Sequence, residues 1–366
     1  MATVFQDLPA SAFWRTGVVN PGPLGLTDLI RPKFQITRDT AVATAGSCFA
    51  QHVGTALRGA GLTVLDVEPA PPGLDEATAK TYGFNLYSAR YGNIYTTGQL
   101  RQLLKDAALQ NVRADAVWQK GLRFYDGIRP GIEPNGCDSA GEVLALRAFH
   151  LNRVRALFTT AQVFVFTLGL TECWHDPETG TVFPVAPGVI CDPEPGRNVA
   201  FFNHSLSDIL SDLPEVRHLL HGLNPDMRLI LSVSPVPLTA TASGSHVLTA
   251  STAAKSTLRA AVQDFTARMP DVDYMPSYEI ITNPAARSRF FAQNLRSVTQ
   301  EGVDLVMSQF LAAHGLAATQ QTPPQTDPAS NDPDSLICEE APICEEAPIY
   351  EEAPICEEAL AEAFHP

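Results

Sequence analysis

Short apolar runs alternate along this chain with longer stretches in which apolar residues recur every three or four positions. Thr40–Ala45 is the first run, and Phe49, Val53 and Leu57 then mark one face of a helix over Cys48–Gly59. Gly59 and Gly61 close that helix before a second strand, Leu62–Val67. Pro69, Pro71 and Pro72 set a loop, and the spacing predicts a helix over Thr97–Leu109. From Asp115 to Gly136 the chain reads as loop. A helix over Ser139–Thr160 leads into Val163–Leu168, whose unbroken apolar character predicts a strand covered on both faces. Helices near Ser205–His221 and Ala250–Arg268 flank a further strand, Met227–Val233. Val272–Ile281 is expected to be the last strand and Thr299–Ala313 the closing helix. Strands alternating with helices of these lengths predict a doubly wound parallel sheet.

Composition divides the chain more sharply than periodicity does. Hydrophobic residues make up 45% of the 366, enough for one large α/β domain or two modest ones. Residues 1–35 are rich in Pro and Gly and are expected to lie over the surface of a domain spanning 36–315. The remainder, 316–366, is a separate tail. It repeats a hexapeptide, Ile337–Pro342, Ile343–Pro348 and Ile349–Pro354, with a last partial copy at Ile355–Leu360. Pro342, Pro348 and Pro354 interrupt any continuous helix, and each unit is too acidic to bury itself. A disordered or polyproline-like tail follows, either a repeat expansion without a specific role or an acidic spacer.

The net charge of −15 belongs mostly to that tail, which holds twelve acidic side chains and no Lys or Arg. The other 315 residues carry 25 basic against 28 acidic side chains, which gives no basic footprint for nucleic acid. Seven cysteines fall in no C-x-x-C spacing, and Cys338, Cys344 and Cys356 belong to the repeat, so reduced thiols are expected. Met1–Trp14 lacks the basic and apolar regions of a secretory leader, and no apolar run is long enough to span a bilayer. The expectation is a cytoplasmic protein of unspecified oligomeric state. Its histidines are scattered, and it has neither Gly-x-Gly-x-x-Gly nor a Walker pattern, so no metal or cofactor is expected.

The stretch Gly46-Ser47-Cys48-Phe49-Ala50 carries the candidate chemistry. It sets a hydroxyl between the first strand and the first helix, where Oγ meets the edge of a sheet beside the N–H groups of a helical turn. Ser47 has two readings there, an acyl-accepting nucleophile or a helix N-cap. Cys48, one residue into the helix, is the rival nucleophile or a small core side chain.

Gly46–Ala50 resembles, letter for letter, the motif that gives the GSCFA-domain family its name. Tyr91–Thr96, Thr167–Glu172, Ser234–Pro237 and Pro276–Glu279 look like further segments of the same family, so the resemblance covers roughly residues 35–312. That family is similar to the SGNH/GDSL hydrolase superfamily, which implies a flavodoxin-like three-layer α/β/α fold with a parallel sheet. It also implies a serine-dependent esterase or O-acyltransferase acting on a small-molecule or carbohydrate ester. By the same resemblance, Ser47 is the nucleophile and its own N–H helps to hold the oxyanion. Gly92, with Asn93 beside it, corresponds to a second donor block, or else forms a plain turn. Thr171 and Glu172 occupy the block that normally carries an asparagine, and Trp174 follows as a pocket wall or a loop aromatic.

The last block departs from the superfamily pattern. Asn294 and Ser297, with Gly302 at the expected offset, stand where an aspartate and a histidine are usual. His246, beyond Ser234–Pro237, is the best substitute base, with a surface loop histidine as its other reading. His52 is a weaker candidate, and His150 and His204 suit structural roles. Arg296 offers a planar cation for a substrate carboxylate or phosphate. The alternative function is a non-catalytic carbohydrate-binding or polysaccharide-biosynthesis accessory protein that has lost the usual Asp-His pair.

Overall fold

The computed structural model describes residues 4–316, so the expectations for the repeat tail lie outside the described residues. In chain order the elements are β1 (Val42–Gly46), α1 (Phe49–Gly59), α2 (Glu76–Thr81), α3 (Thr97–Leu109), β2 (Val117–Lys120) and β3 (Arg123–Asp126). There follow α4 (Ala140–Thr160), β4 (Val163–Leu168), β5 (Glu172–His175), β6 (Val182–Phe183), β7 (Ala200–Asn203) and α5 (Leu206–Leu223). The chain continues through β8 (Arg228–Val233), α6 (Val247–Arg268), β9 (Val272–Met275), α7 (Ser277–Thr282) and α8 (Gln300–Ala313).

A mixed α/β fold results, built on a four-stranded parallel sheet in the order β1-β4-β8-β9. Side chains alternate across it with period two. Ala43, Ala45, Phe164, Phe166, Leu168, Leu229 and Leu231 enter a core closed by apolar faces of α3, α4, α5 and α6. Val42, Val163, Val165, Ile230 and Met275 enter a second core against α1, α7 and α8. Helices on both faces explain why β4 is apolar at every position but Thr167. The segment from residue 62 to 67 reaches the free edge of β1 only through a single parallel bridge, Val42 to Val64, instead of a full strand.

Two further expectations change, and one small sheet falls where no element was expected. The run Val272–Ile281 is not one strand: β9 stops at Met275, and after Pro276 the chain turns into α7. Proline lacks the N–H a ladder needs, and its carbonyl instead accepts from Ile280 N at 3.1 Å. The stretch Asp115–Gly136 contains the antiparallel hairpin β2–β3. Residues 172–203 form a three-stranded antiparallel sheet, β6-β5-β7, beside the main one. Residues 30–36 are tied down, with Ile30, Phe34 and Ile36 packed on the second core and the Lys33 ammonium on the Met269 and Val272 carbonyls. Among the described residues no helix is long and apolar enough to cross a membrane.

Candidate active site

Ser47 lies where β1 ends and α1 begins, and two glycines set its position. Gly46 pairs with Thr167 in the β1–β4 ladder at a φ of 142°, and a Cβ there would come within 2.5 Å of the Thr167 carbonyl oxygen. Only glycine lets the strand turn so close to its neighbour. Gly169, one residue beyond β4, packs directly on the serine: a Cβ on it would meet Ser47 Cβ at 2.8 Å and Tyr95 Cδ1 at 3.2 Å. Gly169 and Leu170 both donate their N–H groups to the Tyr95 carbonyl, at 2.9 and 3.1 Å. The ends of β1 and β4 and the Tyr91–Thr96 segment therefore meet at this serine.

The Ser47 hydroxyl is not a helix cap. The residue is 2% exposed, and its Oγ has no hydrogen-bond partner among the described residues. It is the Ser47 carbonyl that begins α1, accepting from Ala50 N at 2.8 Å. A buried hydroxyl without a partner is costly and therefore uncommon. The Ser47 N–H, expected to face an oxyanion, donates to the Thr167 carbonyl at 3.1 Å.

A polar network lies under the same turn. The Tyr87 hydroxyl sits 2.5 Å from Asn93 Oδ1 and 3.1 Å from the Ser47 carbonyl oxygen, and Gln51 Nε2 lies 3.3 Å from both Tyr87 Oη and Asn93 Oδ1. This fixes the Asn93 amide with its oxygen toward Tyr87. Gly92, at a φ of 66°, is buried just before it, and Ile94 N ties this segment to the Gly46 carbonyl at 2.9 Å. Sequence reasoning missed Tyr87 and Gln51. Gln51 had a signal, since four residues after Ser47 it shares a helix face with it.

Sequence reasoning also gave Lys255 no role. It falls on α6 among Ser251, Ala254, Leu258, Ala261 and Val262, the buried face, and is itself 3% exposed. Its ammonium donates to the Gly169 carbonyl at 2.6 Å. A lysine at an apolar helical position was the available clue.

The remaining candidates are spread around this centre. Thr171 is buried and offers its carbonyl to His204, whose N–H and Nδ1 lie 2.8 and 2.9 Å away. Glu172 accepts from the Thr241 hydroxyl at 2.6 Å, and burial raises its carboxyl above the usual range against that hydrogen bond. Trp174 packs edge-on against Phe201 and beside the Trp118 cluster. His246 is exposed and caps α6, its Nδ1 accepting from Leu248 N at 3.2 Å. His52 packs on the Phe49 ring, and burial lowers its pKa. Among the described residues no imidazole nitrogen is hydrogen-bonded to Ser47 Oγ.

Asn294 and Ser297 pair with each other in an exposed turn. Asn294 Nδ2 donates to Ser297 Oγ at 3.0 Å, while its Oδ1 accepts from the N–H groups of Arg296 and Ser297. Arg296 is half-buried in that turn. A second polar grouping, Cys173, His204 and Asp212, mimics a catalytic order but cannot act as one. His204 Nδ1 is committed to the Thr171 carbonyl, and burial drives the Cys173 thiol far above its ordinary pKa.

Cys48, Cys137, Cys173 and Cys191 are buried thiols, and burial pushes Cys137 up to about 11 and Cys191 up to about 12. Among the described residues no group of three or more His, Cys, Asp or Glu is arranged to hold a metal. No curated protein matches the sequence significantly. The GSCFA family model matches residues 41–310, from the start of β1 to the last turns of α8. With that span covering most of its length, the chain belongs to the GSCFA family.

Proposed function

We propose that the chain is a serine-dependent esterase or O-acyltransferase of SGNH type, working through an acyl-enzyme at Ser47. The observation that carries this reading is the Ser47 hydroxyl itself, buried and unpartnered at the junction of a parallel strand and a helix. Counting the Val64 bridge as an edge strand, the sheet order resembles the flavodoxin-like 2-1-3-4-5 arrangement. In such sheets ligands bind outside the carboxyl ends of the strands where the winding reverses, here between β1 and β4. Ser47 and Gly169 stand at those two ends.

In the proposed reaction Oγ bonds to the acyl carbon of an ester, the bond from that carbon to the alcohol oxygen breaks, and the hydroxyl proton leaves with the alcohol. Water or a sugar hydroxyl then takes the acyl group and returns a proton to Oγ. The positive end of the α1 dipole favours the intervening oxyanion. His246 is the proposed base; its Nδ1, the nitrogen that accepts at the helix cap, carries the free lone pair and has to leave Leu248 N to meet Ser47 Oγ. That contact has to form with substrate bound, since catalytic hydrogen bonds often tighten only then. The carbohydrate ester as substrate class rests on the resemblance to the superfamily.

A second reading is favoured by the Asn294–Ser297 turn, whose polar groups satisfy one another where an acid-base pair is usual. It makes the chain a carbohydrate-binding or polysaccharide-biosynthesis accessory protein. A fluorophosphonate probe on wild type, Ser47→Ala and His246→Ala separates the two. Labelling lost in both variants supports the enzyme. Labelling lost only with Ser47→Ala removes His246 as base, and no labelling of wild type favours the binding protein.

A further inference from the structure

We propose that Lys255 is the positioning residue of this serine site. Its ammonium holds the end of β4 against Ser47 and supplies the positive charge that favours an anion forming on substrate bound there. The inference rests on the serine reading above and gives a role to a lysine that the sequence left without one.

Three observations support it. Lys255 is 3% exposed in the middle of a 22-residue helix, where its four-carbon stem runs among apolar neighbours. Placing an ammonium there is expensive unless it has a defined task and partner. Its Nζ donates to the Gly169 carbonyl at 2.6 Å, a charge-assisted hydrogen bond to the residue that touches Ser47. The same peptide is held from its other side, since its N–H, that of Leu170, donates to the Tyr95 carbonyl at 3.1 Å. The strand-end peptide is thus clamped between a cation and a carbonyl, with its Cα face against the nucleophile.

Position and charge then act together. The peptide beside Ser47 keeps its orientation because Lys255 pins it. The anion formed when an ester carbonyl is attacked lies near a fixed positive charge in a water-poor setting, where electrostatic interactions are strong. Glu172, three residues beyond Gly169, is bound to Thr241.

The experiment follows the rate at which a neutral fluorophosphonate labels the full-length protein. Wild type is compared with Lys255→Ala, Lys255→Met and Ser47→Ala, and the alanine variant is also measured with added butylammonium or butan-1-ol. The expected result is a loss on the order of 100-fold in both Lys255 variants, the scale of removing one oxyanion-stabilising group. Butylammonium should restore labelling saturably and butanol should not. Recovery with butanol equal to that with butylammonium would mark a packing role and overturn the proposal. Labelling of Lys255→Met within threefold of wild type overturns it as well, even where the alanine variant does not fold, and leaves the serine reading intact. Wild type that takes no label, or label retained by Ser47→Ala, overturns both.

Discussion

Replacing Ser47 with alanine separates a functional hydroxyl from a structural one by the sign of the stability change. A helix-capping serine costs about 0.5–2 kcal/mol when lost. Ser47 Oγ caps nothing: it is buried, and no described donor or acceptor meets it. A buried polar group left unsatisfied costs about 1–3 kcal/mol of desolvation. Removing it recovers part of that cost, less the packing of one oxygen atom. Ser47→Ala is therefore expected to be unchanged or more stable, by up to about 1 kcal/mol. Urea denaturation followed by fluorescence, with wild type in parallel, measures this directly, and an unchanged m-value confirms that the same unfolding is being read. A loss of 1 kcal/mol or more would refute the reasoning, because it would mean that the hydroxyl holds the α1 terminus together.

Four other outcomes follow from the packing and the charges. Gly169→Ala places a methyl 2.8 Å from Ser47 Cβ, so it should cost about 1–3 kcal/mol in denaturation and slow fluorophosphonate labelling on the order of 100-fold; wild-type values for both would refute the contact. His150 is fully buried, its Nδ1 2.7 Å from Glu68 Oε2, and burial, with the Arg129 guanidinium nearby, lowers its pKa to about 4. From pH 6.5 down to 4 the unfolded chain binds a proton that the folded chain excludes, so stability should fall by about 3 kcal/mol as pH drops. Below pH 4.5 Glu68 adds to this loss, since burial is outweighed by the His150 hydrogen bond and by Arg129, which hold it down to about 2; His150→Gln should flatten the upper part of the curve. Iodoacetamide should spare Cys48, Cys137, Cys173 and Cys191 in the native protein and reach them only on unfolding, as peptide mass mapping would show. Lys33→Met removes the ammonium from the Met269 and Val272 carbonyls and should cost about 1 kcal/mol in urea denaturation.

Much of the central sheet was legible because burial on both faces writes itself as continuous apolar sequence. Val163–Leu168 and Thr97–Leu109 form a strand and a helix at the expected bounds, and Ser139, Ser205 and Thr299 cap α4, α5 and α8 as polar residues before an apolar face do. The misses have local causes. Strands β2 and β3 are four residues each, too short for a period-two signal, and β5 to β7 pair across gaps that composition does not mark. In Val272–Ile281 one proline outweighed a run of strand-forming residues. At the site, the motif around Ser47 could be read directly. Its contact with Gly169 depends on the non-local register of Gly46 with Thr167, and Lys255 reaches it from a helix more than 80 residues further along.

The most direct test of the central claim is a fluorophosphonate label mapped by peptide mass spectrometry on the full-length protein. Covalent modification is expected on the peptide containing Ser47 and is absent in Ser47→Ala, although that variant stays folded. A label carried by another residue, or retained by folded Ser47→Ala, would contradict it.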